Sequence, residues 1–296
     1  MNNSFQEYIN FANKLADEAT ITSMQYFRTS LDIDNKSDES PVTIADKNTE
    51  LKIRSIIEKE YPDHGILGEE FDSINPGAEF TWVIDPIDGT RSYIAGHKDF
   101  GNLISLTQNK KPIIGIINCP AHNERWIGVK SQDSTLNKQL AKTSNVTKIE
   151  NAYLFTSGLY FDEPHLRNAV DKITNTVRYY RFGGDCYMYG MLASGLIDIV
   201  IEDTLKVHDY MALVNVIEGA GGKITDKYGN EITTDSQGSV VASANEKLHS
   251  QLISIINEKK NLCYIIKYEY GNYCYVCCCV ITRYATFPYV KRCLRL

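Results

Sequence analysis

The chain has 296 residues, 43% hydrophobic and 23% charged, with 19 glycines and 8 prolines. That composition suits one large or two closely joined globular domains and excludes a disordered or fibrous chain. A formal charge of −6 argues against nucleic acid or an anionic membrane as partner, since both call for basic surfaces, and leaves a small solute or a cation. No stretch approaches the roughly 20 apolar residues that span a bilayer, and the polar start Met1 to Tyr8 lacks the parts of a signal peptide. Only Cys119 and Cys186 precede residue 263, too few for a disulfide framework, so the cytoplasm is the expected compartment.

In chain order, Phe5, Tyr8, Ile9, Ala12, Leu15, Ala16 and Ala19 recur at helical spacing and predict a long opening helix. Polar residues 31–40 predict a loop or hairpin, and Leu51, Ile56 and Ile57 a second helix closed by Pro62. The apolar run Phe80 to Ile84 predicts a strand that ends abruptly at the loop Asp85-Pro86-Ile87-Asp88-Gly89-Thr90. Strands at 102–107 and 112–118 flank the turn Asn109-Lys110-Lys111 and make an antiparallel first half. A polar stretch covers 131–150. Strands at 152–156, 177–182 and 197–201 then alternate with helices at 164–174, 185–194 and about 209–220, the pattern of a layered α/β second half. Residues 223–232 predict a hairpin around Tyr228-Gly229-Asn230, 239–242 a last strand and 245–259 a closing helix. These elements divide the chain into an α+β half with an antiparallel sheet at 1–135 and an α/β half at 136–262. Residues 263–296 form an atypical tail with six cysteines, seven tyrosines and a single acid, Glu269, composed as a foreign or frameshifted end would be. Its crowded Cys274-x-x-Cys277 lacks the second separated pair of a zinc site.

The chemistry is carried by acids at element ends. Glu69 and Glu70 follow a short strand and Gly68, Asp85 and Asp88 flank Pro86, and Asp209 opens a helix far downstream. Each alone is a turn or a solvated face. Converging, they would repel, and hard cations among them would keep them ionised, with oxygen ligands suiting Mg2+. Gly89 and Thr90 add backbone N–H groups and a hydroxyl beside the carboxylates, and a helix starting there would favour a phosphate. Metal with an anion cradle means phosphoryl chemistry.

Gly68-Glu69-Glu70, the run Trp82 to Thr90, and Asp209 with Glu218-Gly219-Ala220-Gly221-Gly222 closely resemble the signatures of the inositol monophosphatase superfamily, over about residues 5–258. The resemblance implies a layered α-β-α-β-α sandwich and Mg2+-dependent hydrolysis of small phosphate monoesters with two or three ions per site. It also implies that Glu69, Asp85 and the Ile87 carbonyl hold a first metal, and Asp85, Asp88 and Asp209 a second. Thr90 with Asp46 would activate water, Glu70 would assist through water, and Gly89 and Thr90 would hold the phosphate. Family members are often homodimers, and nothing in the sequence names an interface.

Arg91-Ser92-Tyr93, Ile94-Ala95-Gly96-His97, the run Phe182 to Tyr187 and His208 before Asp209 resemble the histidinol-phosphatase branch. By that resemblance Asp88, Arg91, Gly184, Asp185 and Glu202 face the substrate, and the acidic pair Asp185 and Glu202 would favour a cationic amino alcohol. Glu202 would serve a polyol equally well, and Asp185 would equally serve as a helix cap. Arg91 contacts phosphate or pairs with a nearby acid. Alternatives are an inositol or broad-specificity sugar or nucleotide phosphatase and, in another class, a catalytically silent binding scaffold. The six histidines are scattered and read as surface or core residues rather than ligands.

Overall fold

The computed structural model describes residues 3–36, 41–158 and 161–258, and those up to Asn257 belong to one unit. The tail and its cysteine cluster lie outside the described residues. The chain opens with helix α1 (Asn3–Tyr26), the short strands β1 (Ile33–Asn35) and β2 (Pro41–Thr43), and helix α2 (Ile44–Glu60). Then come β3 (Gly65–Gly68), β4 (Phe80–Asp88), the five-residue helix α3 (Thr90–Ile94), β5 (Gly101–Gln108), β6 (Lys111–Cys119) and β7 (Glu124–Val129). The small strands β8 (Thr135–Leu136) and β9 (Gln139–Leu140) follow. The remainder runs β10 (Tyr153–Thr156), α4 (Pro164–Thr174), β11 (Tyr179–Phe182), α5 (Tyr187–Ala193), β12 (Ile199–Glu202), α6 (Val207–Gly219), β13 (Lys223–Thr225), β14 (Val240–Ser243) and α7 (Glu246–Ile256).

A seven-stranded sheet, β3 to β9 in sequential order, is antiparallel except for the parallel pair β3 and β4. A five-stranded sheet has the order β11-β10-β12-β14-β13, with β11, β10 and β12 parallel. Period-two alternation assigns each strand face to a layer. Trp82, Ile84, Ile104 and Ile116 meet Leu15 and Ala16 of α1 and Ile53 of α2, while Val83, Leu103 and Ile117 turn to α5 and α6. In the second sheet Val200 faces α5 and α6, whereas Ile199 and Ile201 pack on α4 and α7. The result is the α-β-α-β-α sandwich.

Helix α6 sits directly on the first sheet. A Cβ on Gly115 would lie 2.0 Å from the Ala212 carbonyl oxygen and one on Gly128 2.1 Å from the Asn215 carbonyl carbon. These two glycines let the helix backbone approach β6 and β7, which fixes where its first turn ends up.

Several elements differ from expectation. β4 continues through Asp88, because Pro86 is accommodated in a bulge rather than ending the strand. Residues 124–129 form an unexpected strand, and the polar stretch after 131 holds β8 and β9. The turn between β5 and β6 is only Asn109-Lys110, both left-handed at φ 49° and 69°. Residues 223–232 form no hairpin: β13 pairs with β14, and Asp226 folds the segment by accepting the N–H groups of Tyr228 and Asn230. No described helix is long and apolar enough to cross a membrane.

Candidate active site

The bulge in β4 sets the first positions. Asp85 faces Leu103 of β5 and Asp88 faces Gly101, so three steps along one strand match two along the other and the backbone turns its carboxylates to one place. Asp85 accepts the Ile87 N–H at 3.0 Å, and Asn102 Nδ2 donates to the Pro86 carbonyl at 2.6 Å. β3 runs beside β4 with Gly68 opposite Ile84, so Glu69 and Glu70 leave the sheet next to Asp85. A buried pair holds that exit: Glu50 accepts from Arg54 Nε at 2.7 Å and from the Glu70 N–H at 2.8 Å. Arg54 also donates to the carbonyls of Phe71 and Asp72. Asp209 comes from the first turn of α6, where it accepts the Lys206 N–H at 2.7 Å.

Acids from three segments therefore converge. Oxygens of Asp85, Asp88 and Asp209 lie within 4.8 Å of one another, and so do one ligand atom each of Glu69, Asp85 and His208. Burial, then repulsion from Glu69, Asp88 and Asp209, holds the Asp85 carboxyl well above the ordinary carboxylate range. Asp88 is raised by burial and by Asp185 and Asp209, and Asp209 by burial against the opposing pull of His208. Crowded buried carboxylates of this kind repel one another unless a multivalent cation sits among them, and the all-oxygen set of Asp85, Asp88 and Asp209 suits a hard one. The residues present fit a divalent metal.

Of the histidines, all read as surface or core residues, His208 is buried beside the acids. Its Nε2 lies 3.4 Å from Asp209 and 3.9 Å from Glu69, so it belongs to this cluster. Glu69 and Glu70 both meet Lys36, whose Nζ is 2.6 and 2.7 Å from them and which carried no motif in the polar loop. Burial pushes Glu70 up to about 7 although Lys36 pulls it down.

Asp46 and Thr90, 44 positions apart, are brought together by a helix cap. Thr43 caps α2 by accepting the Ala45 N–H, and Asp46 accepts from both the Thr43 N–H and its hydroxyl. The other Asp46 oxygen faces the Thr90 hydroxyl at 3.3 Å, and that hydroxyl also lies 3.1 Å from the Ile87 carbonyl. Asp46 is fully buried, and burial raises its pKa. α3 starts at Thr90 with Gly89 as its left-handed cap at φ 79°, so the N–H groups of the first turn lack partners within the helix.

A recess of about 160 Å³ opens beside Asp88 and Asp209, lined also by Ser157, Asp185, Cys186, Tyr189 and Glu202. Glu202 accepts from Tyr189 Oη at 2.7 Å and from Ser157, and burial lifts it to about 7. The Cys186 N–H donates to Asp88 at 2.6 Å. Asp185 caps no helix: α5 has no side-chain cap, and the Asp185 carboxylate instead accepts from Ser92. Gly184 and Arg91 line an adjoining groove of about 500 Å³, with Arg91 exposed and acting on Asp185 through its charge. A separate cavity of about 790 Å³ lies at the other end of α6, around Asn215 to Gly221.

The inositol monophosphatase family model matches residues 4–261. The chain belongs to that family. Its members are metal-dependent phosphatases, and this protein is accordingly a phosphoric monoester hydrolase. The chain is 42% identical over 234 residues to the chloroplastic bifunctional phosphatase IMPL2 of Arabidopsis thaliana, covering 78% of this chain and 68% of that one. It is 34% identical over 250 residues to the histidinol-phosphatase of Chlorobaculum parvum, covering 84% and 96%. Among solved structures, an inositol monophosphatase from Zymomonas mobilis superposes with a TM-score of 0.79 at 39% identity, over 86% of this chain and 99% of that one. The family's substrates are small phosphate monoesters.

Proposed function

We propose that this enzyme hydrolyses histidinol phosphate with Mg2+ as its metal, two or three ions per site. The observation that carries the reading is the acidic recess against the carboxylate cluster: Asp185 and Glu202 line the same small cavity as Asp88 and Asp209. An ammonium group on the alcohol portion would meet two carboxyl groups there, and charge complementarity favours it over a neutral polyol. Similarity to histidinol-phosphatases at 34% and 32% identity supports the same reading.

In the proposed division of labour, Glu69, Asp85 and the Ile87 carbonyl would hold one ion, and Asp85, Asp88 and Asp209 another. When bound, Mg2+ supplies Lewis-acid polarisation of the phosphoryl oxygens and an acidified water. The remaining work belongs to the chain. Thr90 Oγ takes the proton of the attacking water as its own hydroxyl proton passes to Asp46, whose raised pKa suits an acceptor. The N–H groups at Gly89 and Thr90 bind the phosphoryl oxygens, and Glu70 orients a water at the rim. Arg91 sits at the groove, on the alcohol side.

Glu202, poised near 7, would accept a hydroxyl as readily as an ammonium, which favours inositol phosphates as the second reading. Phosphate release from histidinol phosphate, inositol 1-phosphate and p-nitrophenyl phosphate, with Mg2+ and with EDTA, separates the two. We expect the highest kcat/KM for histidinol phosphate and no turnover in EDTA. Faster turnover of inositol 1-phosphate would overturn the substrate assignment, and undiminished turnover in EDTA the metal assignment. We further place the enzyme in the cytoplasm, as a homodimer, with the halves 1–135 and 136–262 as its structural divisions.

A further inference from the structure

Ser92 is the fourth residue after Asp88 and carries no role in the reading above, yet it is the residue that touches Asp185. Asp185 sits in a segment of three successive left-handed residues, Gly183 at φ 94°, Gly184 at φ 121° and Asp185 at φ 42°. That backbone is tied by the Gly183 N–H to the Thr156 carbonyl and by the Cys186 N–H to Asp88, and neither bond fixes the Asp185 side chain. The side chain is fixed from across the cleft, where Ser92 Oγ on α3 donates to Oδ2 at 2.5 Å. Gly89 lies against the same carboxyl group: a Cβ there would stand 2.8 to 2.9 Å from its atoms. The carboxylate is therefore clamped between the first turn of α3 and its own loop; Asp185 lines the 160 Å³ recess, while Ser92 and Gly184 line the 500 Å³ groove.

We infer that Ser92 is a positioning residue for substrate selection: by holding Oδ2 of Asp185 it presents the other oxygen to the cationic part of the alcohol. The inference rests on the reading of Asp185 as a substrate contact. It deepens that reading by linking selectivity to the same short helix whose start meets the phosphate. A seated phosphate group and an oriented Asp185 then belong to one rigid piece.

The test is Ser92→Ala and Ser92→Thr, assayed with Mg2+ on histidinol phosphate and on glycerol 2-phosphate, whose alcohol is neutral. Loss of a hydrogen bond to a charged group is worth about a tenfold change in affinity, so Ser92→Ala is expected to raise KM for histidinol phosphate about tenfold. Its kcat and its kinetics on glycerol 2-phosphate are expected to stay within about twofold, and Ser92→Thr to restore KM. Equal losses on both substrates, or none on either, would overturn the inference, and so would failure of threonine to rescue. If Ser92→Ala does not fold, the ratio of KM values for the threonine variant decides alone: it must match that of the parent enzyme. A parent enzyme with no preference for the cationic substrate sinks the substrate reading itself, a result visible before any variant is made.

Discussion

Asp209→Asn separates the electrostatic cost of the site from its chemistry. The substitution keeps shape and leaves an amide oxygen to accept the Lys206 N–H, so the first turn of α6 stays capped. It removes one charge from a cluster whose oxygens lie within 4.8 Å. At that separation and an effective dielectric constant near 20, one pair of like charges repels by roughly 3.5 kcal/mol. Asp209 keeps 20% of its side chain exposed, and solvent there screens part of the repulsion, leaving a relief of about 1 to 2 kcal/mol. For a chain of this size that is a rise in Tm of about 2 to 8 °C in EDTA at pH 8. Mg2+ should reverse the order, because the parent protein gains stability by binding an ion that the variant holds poorly. The assay is thermal unfolding by circular dichroism across a Mg2+ titration, with kcat measured in parallel and expected to fall by at least about 10³. A variant no more stable than its parent in EDTA, or one with the same Mg2+-induced shift, would refute the argument that these acids are crowded for a cation.

Thr90→Val should lower kcat for any phosphate monoester by about 10² to 10⁴ while leaving KM nearly unchanged, since it removes only the hydroxyl between the water and Asp46; steady-state kinetics check this, and Thr90→Ser should recover most of the rate. His249 is buried between Thr225 and Ser243, and burial holds its pKa at about 4, below its ordinary 6.5. The unfolded chain takes up that proton first, so the stabilisation is complete above pH 6.5 and is lost as the pH falls toward 4, about 3 kcal/mol in all. Urea unfolding from pH 7 to pH 4 should show that loss, and a His249→Gln variant should lack that component of it.

How much of this site can be read along the chain depends on the range of each interaction. Asp85-Pro86-Ile87-Asp88-Gly89-Thr90 is legible because its function is local: the bulge, the carboxylates and the start of α3 are consecutive residues. The dipeptide Asn-Lys shows the limit even there. It makes the tight turn at 109–110 and again at 137–138, with nearly the same positive φ values, but only the first is flanked by long apolar runs that betray a hairpin. β8 and β9, two residues each, have no such flanks and stay hidden in a polar stretch.

What the pattern along the chain does not carry is which side chain turns toward which across a cleft. Lys36, Ser92, Ser157 and Tyr189 have ordinary types in ordinary contexts, and each acquires its meaning only by facing an acid 13 to 93 positions away. Asp185 illustrates the consequence. Beside a helix start, its natural local reading is a cap, but the left-handed backbone at Gly183 and Gly184 swings its carboxylate away from α5 and across to Ser92. The glycines were visible and the direction of the swing was not, because direction is set by where α3 stands, and α3 stands where the β4 bulge and Pro86 put it. On the proposed reading, substrate choice in this chain would depend on the geometry of the same loop that would hold the metal, so a change in the bulge should alter selectivity and catalysis together.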